Sequence, residues 1–534
     1  MRHNADVRYL TFILCILLTL VFVALGQQAH PLFHGLALLP GLLTLLGIWD
    51  LLQKRHSILR NYPVLGHVRF LFEDARPEFR QYLFESDTSG TPFNREQRSL
   101  VYQRAKNTED KMPFGTEMDV YAPHYSWLSH STAPASVAAE DLRIDIGDSE
   151  CRQPYSASVL NISAMSFGAL SGNAIRALNQ GAKKGNFAHD TGEGSISRYH
   201  REFGGDLIWE IGTGYFGCRN DDGTFNADEF AEQAQSEQVK MVEIKLSQGA
   251  KPGHGGVLPG AKVSPEIAEA RHVPLGVDCV SPSAHSAFST PIELMQFVAQ
   301  LRELSGGKPA GFKLCIGHPW EFMAIVKAML ETDIYPDFIV IDGAEGGTGA
   351  APVEFSNHLG APLHFGLQFA VNTLRGAGIR ERIKLGASGK IVSAYDMIVA
   401  MTQGADWCNS ARGFMFAIGC VQSQSCHTNK CPVGVATQSE TRQRALVVPD
   451  KAERVYHFHS NTTKALAELL AAAGLSSPSE IQPWHFYLRD GDGNALSGID
   501  SAAWLQRGEL LSGTQYAHYA KNWDLARADS FAPG

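Results

Sequence analysis

Residues 311–342 read Gly311-Phe312-Lys313-Leu314-Cys315-Ile316, then a helical stretch over 319–331, then Phe338-Ile339-Val340-Ile341-Asp342. Two short β-rich runs separated by one helix length describe parallel strands with a crossover helix. Working outward, the alternation starts near Ser158 and predicts strands at 159–163, 187–190, 241–246, 277–281, 311–316, 338–342, 383–386 and 406–409. Helical runs at 171–183, 291–304, 319–331 and 394–403 lie between several of them. Eight such strands predict an α/β fold, a (β/α)8 TIM barrel, and polar and glycine-rich residues follow the strand ends where barrel enzymes build their sites. A doubly wound open sheet would alternate in the same way, but no G-x-G-x-x-G opens a helix directly after an early strand.

Composition supports one large ordered core: of 534 residues, 44% are hydrophobic and 19% charged, unlike a disordered chain. The 51 glycines gather in clusters such as 253–256 and 343–349, where a backbone turns tightly or approaches a ligand. A net charge of −9 without a Lys/Arg stripe argues against a nucleic-acid partner. The nine cysteines are scattered singly apart from Cys420, Cys426 and Cys431, which points to a reducing compartment rather than a disulfide scaffold.

Residues 9–26 and 31–49 contain no charged side chain, and each is close to the roughly 20 residues that cross a bilayer. The short linker Gln27-Gln28-Ala29-His30 predicts a two-helix transmembrane hairpin. Arg2 and Arg8 before it, with Lys54, Arg55 and Arg60 after it, predict that both flanks, and so the catalytic part, face the cytoplasm at the inner membrane. A cleaved signal peptide ending at Ala24-Leu25-Gly26 competes, but a second apolar span directly behind it is unexpected. The expected organisation is an anchor over 1–53, a lead-in over 54–150 packing on the barrel, the barrel with its cysteine loop over 151–450, and a helical tail over 451–534.

Four motifs carry chemistry. Cys420-x5-Cys426-x4-Cys431-Pro432 offers three thiolates without a fourth, which suits a three-iron cluster better than structural zinc, although His427 could complete a zinc site. Gly386-Ala387-Ser388-Gly389 and Ser410-Ala411-Arg412-Gly413 follow strands seven and eight, the usual barrel site for a phosphate such as that of FMN. Lys313 sits inside an apolar strand, so an anionic partner is expected, either a reduced flavin or a carboxylate such as Asp342. Glu243-x-Lys245-x-x-Gln248-x-x-Lys251 runs into Pro252-Gly253-His254-Gly255-Gly256, a set of cations and an amide before a flexible loop that suits a dicarboxylate.

From about Ser163 to Thr437 the chain resembles the FMN-binding synthase domain of glutamate synthase, including its small single-domain relatives. Five matches in order carry the resemblance: Ser163-Ala164-Met165-Ser166-Phe167-Gly168, Thr191-Gly192-Glu193-Gly194, residues 248–256 with Leu258-Pro259-Gly260, residues 343–349, and Cys426-His427 through Gln438. The resemblance implies a barrel carrying FMN and a [3Fe-4S] cluster, with 2-oxoglutarate bound over the flavin. It implies FMN contacts at Met165, Ser166, Lys313, Gly346, Gly347, Gly386, Ser388, Gly389, Arg412 and Gly413, and cluster ligation by Cys420, Cys426 and Cys431. It places Glu193, Lys245 and Lys251 in catalytic roles and Gln248 and Arg271 on the substrate.

The chain also departs from the family pattern. Met1-Arg2 offers no N-terminal cysteine nucleophile, so glutamine hydrolysis is expected to need a separate ammonia-supplying subunit. Val257 stands where the family carries glutamine, and Ala387-Ser388-Gly389 replaces its D-G-G loop; the first removes an amide expected near the substrate. The expected function is reductive amination of 2-oxoglutarate or a related keto acid. Alternatives are an FMN oxidoreductase for an N-substituted amino acid and a membrane-bound electron-relay subunit. No NAD(P)H site is visible, so a ferredoxin or a reductase partner is expected to supply electrons.

Overall fold

A computed structural model describes residues 7–147, 150–258 and 260–534; Pro259 and the side chains of Val257 and Ala261 lie outside the described part, and so does the expectation placed on the Val257 side chain. The chain forms two compact units, Met1–Arg95 and Glu96–Gly534.

The first unit begins with two apolar helices, α1 Leu10–Gln28 and α2 Leu32–Leu52, each long and apolar enough to cross a membrane. Small residues let them pack closely: the Thr19 and Thr44 hydroxyls are 3.5 Å apart, and a Cβ on Gly47 would lie 2.2 Å from the Phe12 ring. Helix α3, Leu65–Phe79, follows and continues into a π-helical turn, Arg80–Phe84.

The second unit is built around a closed eight-stranded parallel barrel. Its strands are β1 Leu160–Ile162, β2 His189–Asp190, β3 Leu207–Ile211, β4 Val239–Lys245, β5 Ala310–Leu314, β6 Phe338–Asp342, β7 Lys384–Ser388 and β8 Trp407–Ser410, with β8 pairing back onto β1. The TIM-barrel expectation holds, with one exchange of strands. Residues 277–281 do not enter the barrel: Cys279–Val280 pairs antiparallel with Val257–Leu258 in the long connection after β4. The third barrel strand is Leu207–Ile211, a run interrupted in sequence by the charged Glu210. All five of its residues are buried, because Trp209 stacks on Phe230 at 5.2 Å on the helix side while Ile208 and Glu210 face inward.

Side chains two apart on a strand share a face, and this period sorts the barrel interior by height. Ala188, Ile208, Met241, Phe338, Val340 and Trp407 form one apolar cluster with Ile146, Tyr155 and Ala157. The last three belong to the hairpin Arg143–Ile146/Tyr155–Ser158, which plugs the N-terminal end. Two residues further along the strands, the same faces carry Asp190, Glu210 and Glu243, and Lys245 lies two beyond Glu243. The interior thus turns from hydrocarbon to charge toward the strands' C-terminal ends. Helix Val448–Ala472 packs on helix Gly172–Gly185, where a Cβ on Gly181 would lie 2.5 Å from Val455. The strand Ser126–Leu128 pairs with Phe486–Arg489, joining lead-in to tail.

Candidate active site

At the C-terminal mouth of the barrel, Lys313 on β5 is buried among three buried carboxylates. It pairs with Glu210 on β3 and stands 3.2 Å from Glu243 on β4. The oxygens of Asp190, Glu210 and Glu243 lie within 4.8 Å of one another. Of the two partners left open for Lys313 by the sequence, a carboxylate is present, but the ion pairs are to Glu243 on the adjacent β4 and to Glu210 on β3, with Asp342 acting only at longer range. Burial alone would strip the Lys313 proton, but Glu210, Glu243 and Asp190 outweigh it and hold its pKa well above the ordinary lysine value. Burial pushes Glu243 well above the usual carboxylate range and Asp190 up to about 7, the lysine only partly opposing it. Carboxylates crowded in a buried layer with a single ammonium favour retention of protons on Asp190 and Glu243.

Above this layer sits a second charged group. Asp190 Oδ1 accepts from the backbone N–H of Gly192 at 3.0 Å, in a turn whose Gly192 has φ +65° and where a Cβ would lie 2.6 Å from the Ser166 nitrogen. That turn presents Glu193, which pairs with Lys245 at 3.0 Å. Burial would raise the Glu193 pKa, but Lys245, Arg271 and Lys251 prevail and hold it down at about 2. Burial and the neighbouring Lys245 lower the pKa of Lys251, despite the pull of Glu193. Glu193, Lys245, Gln248 and Lys251 line one pocket together with Thr213, His254 and Ser283. The buried Gln248 Nε2 and Arg271 Nε have no hydrogen-bond partner among the described residues. Buried donors are normally satisfied, so these two are free to receive a polar ligand. A Cβ on Gly256 would lie 2.8 Å from Glu193 Oε1, which shows how closely the glycine loop covers the carboxylate.

Arg271 reaches this region from helix Pro265–Arg271 and donates to the Phe167 carbonyl at 3.1 Å. Phe167 belongs to the turn after β1 that carries Met165 and Ser166. The structure therefore brings Met165, Ser166, Glu193, Lys245, Gln248, Lys251 and Arg271 to one side of the mouth.

A second side is built from the strand 6, 7 and 8 loops. Ser388 Oγ lies 3.3 Å from Ser163 Oγ. Arg412 donates to the Glu345 carbonyl at 2.6 Å, and a Cβ on Gly347 would lie 2.9 Å from the Arg412 side chain. Gly346, Gly347, Ser388, Gly389 and Arg412 share this side. Gly389 has φ +152°, and a Cβ there would lie 3.3 Å from Leu363. Gly386 lies within β7 rather than in the loop after it, where a Cβ would meet the Trp407 indole at 2.5 Å. Gly413 is buried at the start of helix Arg412–Ala417 with its Cα facing Ser410 and Phe458.

Cys420, Cys426 and Cys431 share one loop, in which Gln422, Gln424 and Asn429 take left-handed φ values of +56°, +55° and +63°. Cys420 Sγ lies 3.5 Å from the Gln422 nitrogen. Burial raises the Cys420 thiol to about 12 and also raises Cys426, and the neighbouring cysteines add to both shifts. The side chain of Gln438 ties the end of this segment to the turn after β1, donating to the Gly168 and Leu170 carbonyls.

Sequence reasoning missed Asp190, Glu210 and Glu243 as members of one site. Their signal was a carboxylate on the inward face of successive strands, which required the third strand to be found first. It also missed His285, which sits 2.9 Å from the Lys245 carbonyl and 3.0 Å from the Tyr215 hydroxyl, bracing the strand end that carries Lys245.

A closed barrel with a cation-rich pocket at its C-terminal mouth defines an α/β-barrel enzyme. Residues 123–476 match the conserved region in glutamate synthase. The chain is 37% identical over 491 residues to the glutamate synthase large subunit-like protein YerD of Bacillus subtilis (strain 168), covering 84% of this chain and 93% of that protein. It is 33% identical over 337 residues to the archaeal-type glutamate synthase [NADPH] of Thermotoga neapolitana and 34% identical over 322 residues to the archaeal glutamate synthase [NADPH] of Methanocaldococcus jannaschii. These alignments cover 63% and 60% of this chain and 62% and 60% of those proteins. The chain belongs to the glutamate synthase family, and it is an oxidoreductase of that type.

Proposed function

We propose that this chain is an FMN- and [3Fe-4S]-dependent oxidoreductase that reductively aminates 2-oxoglutarate or a closely related dicarboxylic keto acid. The observation that carries the reading is the pocket lined by Glu193, Lys245, Gln248 and Lys251, with Arg271 close enough to act on the Glu193 carboxylate, and with Gln248 Nε2 and Arg271 Nε without a partner among the described residues. Cations and unpaired donors at this density suit two carboxylates, since ammonium and guanidinium groups form charge-assisted hydrogen bonds with them.

The cofactor reading rests on fit. Gly347 lets the chain pass within van der Waals reach of Arg412, Ser388 and Gly389 line the same side, and Ser388 meets Ser163 at the start of the turn that carries Met165 and Ser166. These residues, with Lys313, would hold the FMN. FMN, when bound, supplies the hydride equivalent for reducing a C=N bond. The three thiols on one loop would hold the iron–sulfur cluster, tied by Gln438 to the turn that carries Met165.

The protein's own groups bind and move protons. Lys245, Lys251 and Arg271 orient the carboxylates of the keto acid. Glu193 stays ionised and holds the Lys245 ammonium in place. Lys251, with its pKa lowered by burial, can give a proton to the leaving oxygen as the imine forms and recover one afterwards. The glycine loop excludes water from that exchange. Electrons come from a ferredoxin or a separate reductase, and ammonia from another subunit. Helices α1 and α2 anchor the chain in the inner membrane with the catalytic unit facing the cytoplasm.

The test is anaerobic: the purified chain, reduced, is mixed with 2-oxoglutarate and ammonia, and flavin reoxidation is followed with glutamate. Stoichiometric glutamate supports the reading. A spectrum showing flavin and cluster but no turnover with any dicarboxylic keto acid would leave the chain as an electron relay instead.

A further inference from the structure

The first unit carries an apolar surface in addition to its two long helices. On helix α3 and the turn after it, Leu65, Val68, Leu71, Phe72, Phe79 and Leu83 are exposed, Leu71 at 67% and Phe72 at 61%. Their spacing follows the helical repeat, so they form one stripe. Arg69, Arg76 and Arg80 follow at intervals of seven and four, which aligns all three along one edge of that stripe; Arg69 pairs with Glu73 at 2.8 Å and Arg80 with Glu85 at 2.9 Å, exposed arginines that can exchange these partners for phosphates. An apolar face bordered by a row of arginines is the pattern of a helix lying in a membrane interface, where long cationic side chains reach the phosphates while the apolar face enters the acyl boundary.

The depth of α3 within its unit is set by α2. Asp50, two residues before the end of α2, is fully buried. Its carboxylate accepts from the Val64 nitrogen at 2.9 Å and contacts His67 Nε2 at 2.8 Å. A Cβ on Gly47 would lie 3.1 Å from Val64. The start of α3 is therefore held at the level where the second apolar helix ends, which is where headgroups would lie if α2 spans a bilayer.

We infer that residues 65–84 form an interfacial helix that lies on the anionic leaflet, with Phe72 and its neighbours in the acyl boundary and Arg69, Arg76 and Arg80 on lipid phosphates. This rests on the reading of α1 and α2 as membrane spans.

The experiment places a photo-crosslinking benzoylphenylalanine at Phe72, at Leu71 or at Asp74 on the opposite face, in the full chain. The chain is reconstituted in bilayer discs of mixed phosphatidylglycerol and phosphatidylcholine. Leu39, exposed on α2, reports separately on the span. Lipid adducts at Phe72 and Leu71 with none at Asp74 are expected, enriched severalfold in phosphatidylglycerol. That enrichment should disappear in the Arg69→Gln, Arg76→Gln, Arg80→Gln variant. Adducts at Phe72 and Leu71 to the chain itself or to a second copy, without lipid, would overturn the inference whatever Leu39 shows. Loss of the Leu39 adduct alone would count against the anchor and not against the interfacial helix.

Discussion

The side-chain amide of Gln438 donates to the carbonyl oxygens of Gly168 and Leu170 at 3.0 and 2.9 Å, joining the cysteine segment to the turn after the first barrel strand. The same turn accepts from Arg271 at Phe167. Arg271 and the end of the cysteine segment are thus tied to the same turn. Replacing Gln438 with leucine removes two hydrogen bonds, a loss of about 1–3 kcal/mol. Chemical denaturation should show that loss, together with a lower iron content; an unchanged midpoint would mean that the bridge is not structural.

Lys251 is buried in the pocket, and that burial lowers its pKa from the ordinary lysine value. A charge-assisted contact to a carboxylate is worth about 1.5–3 kcal/mol, so Lys251→Ala should weaken 2-oxoglutarate binding by roughly 10- to 150-fold. Titrating the flavin absorbance of parent and variant with 2-oxoglutarate measures it. Equal affinity would remove the loop from the substrate site.

The carboxylate layer predicts a pH dependence of stability. Asp190 has a folded pKa of about 7, raised by burial above its ordinary value. Between that ordinary value and about 7 the folded state therefore binds more protons than the unfolded state, so this group lowers stability as pH rises, and the loss is complete above about 7. Asp190→Asn should flatten that part of the profile. Melting temperatures of parent and variant across about pH 4–8 would show the two curves diverging in the variant's favour as pH rises; parallel curves would contradict the account.

Cluster ligation predicts that serine at Cys420, Cys426 or Cys431 reduces iron and acid-labile sulfide while leaving flavin content near that of the parent. One zinc per chain without sulfide in the parent would exclude the cluster altogether.

Gly386 tests packing rather than chemistry. A Cβ there would lie 2.5 Å from the Trp407 indole, and overpacking of this kind costs about 1–3 kcal/mol. Gly386→Ala should lower the denaturation midpoint while leaving 2-oxoglutarate affinity intact in the protein that remains folded.

The barrel class was legible from one chain because it depends on local patterns. Runs such as Phe338–Asp342 and the helix before it announce their period over a few residues, and the glycine clusters and the cysteine spacing are contiguous. The apolar spans before Leu52 are equally local. Tertiary structure decided which runs close the barrel. Leu207–Ile211, interrupted by Glu210, is a barrel strand because β2 and β4 pair with it and Trp209 fills the helix side. The run 277–281 is equally β-like but finds its partner in the loop at Val257–Leu258. Lys313 illustrates the same limit. Its place in an apolar strand showed that it needs an anionic partner, because burying an unpaired charge is costly. That its protein partners are Glu210 and Glu243 depends on strands roughly 70 to 100 residues away in sequence, whose inward faces meet only when the sheet closes.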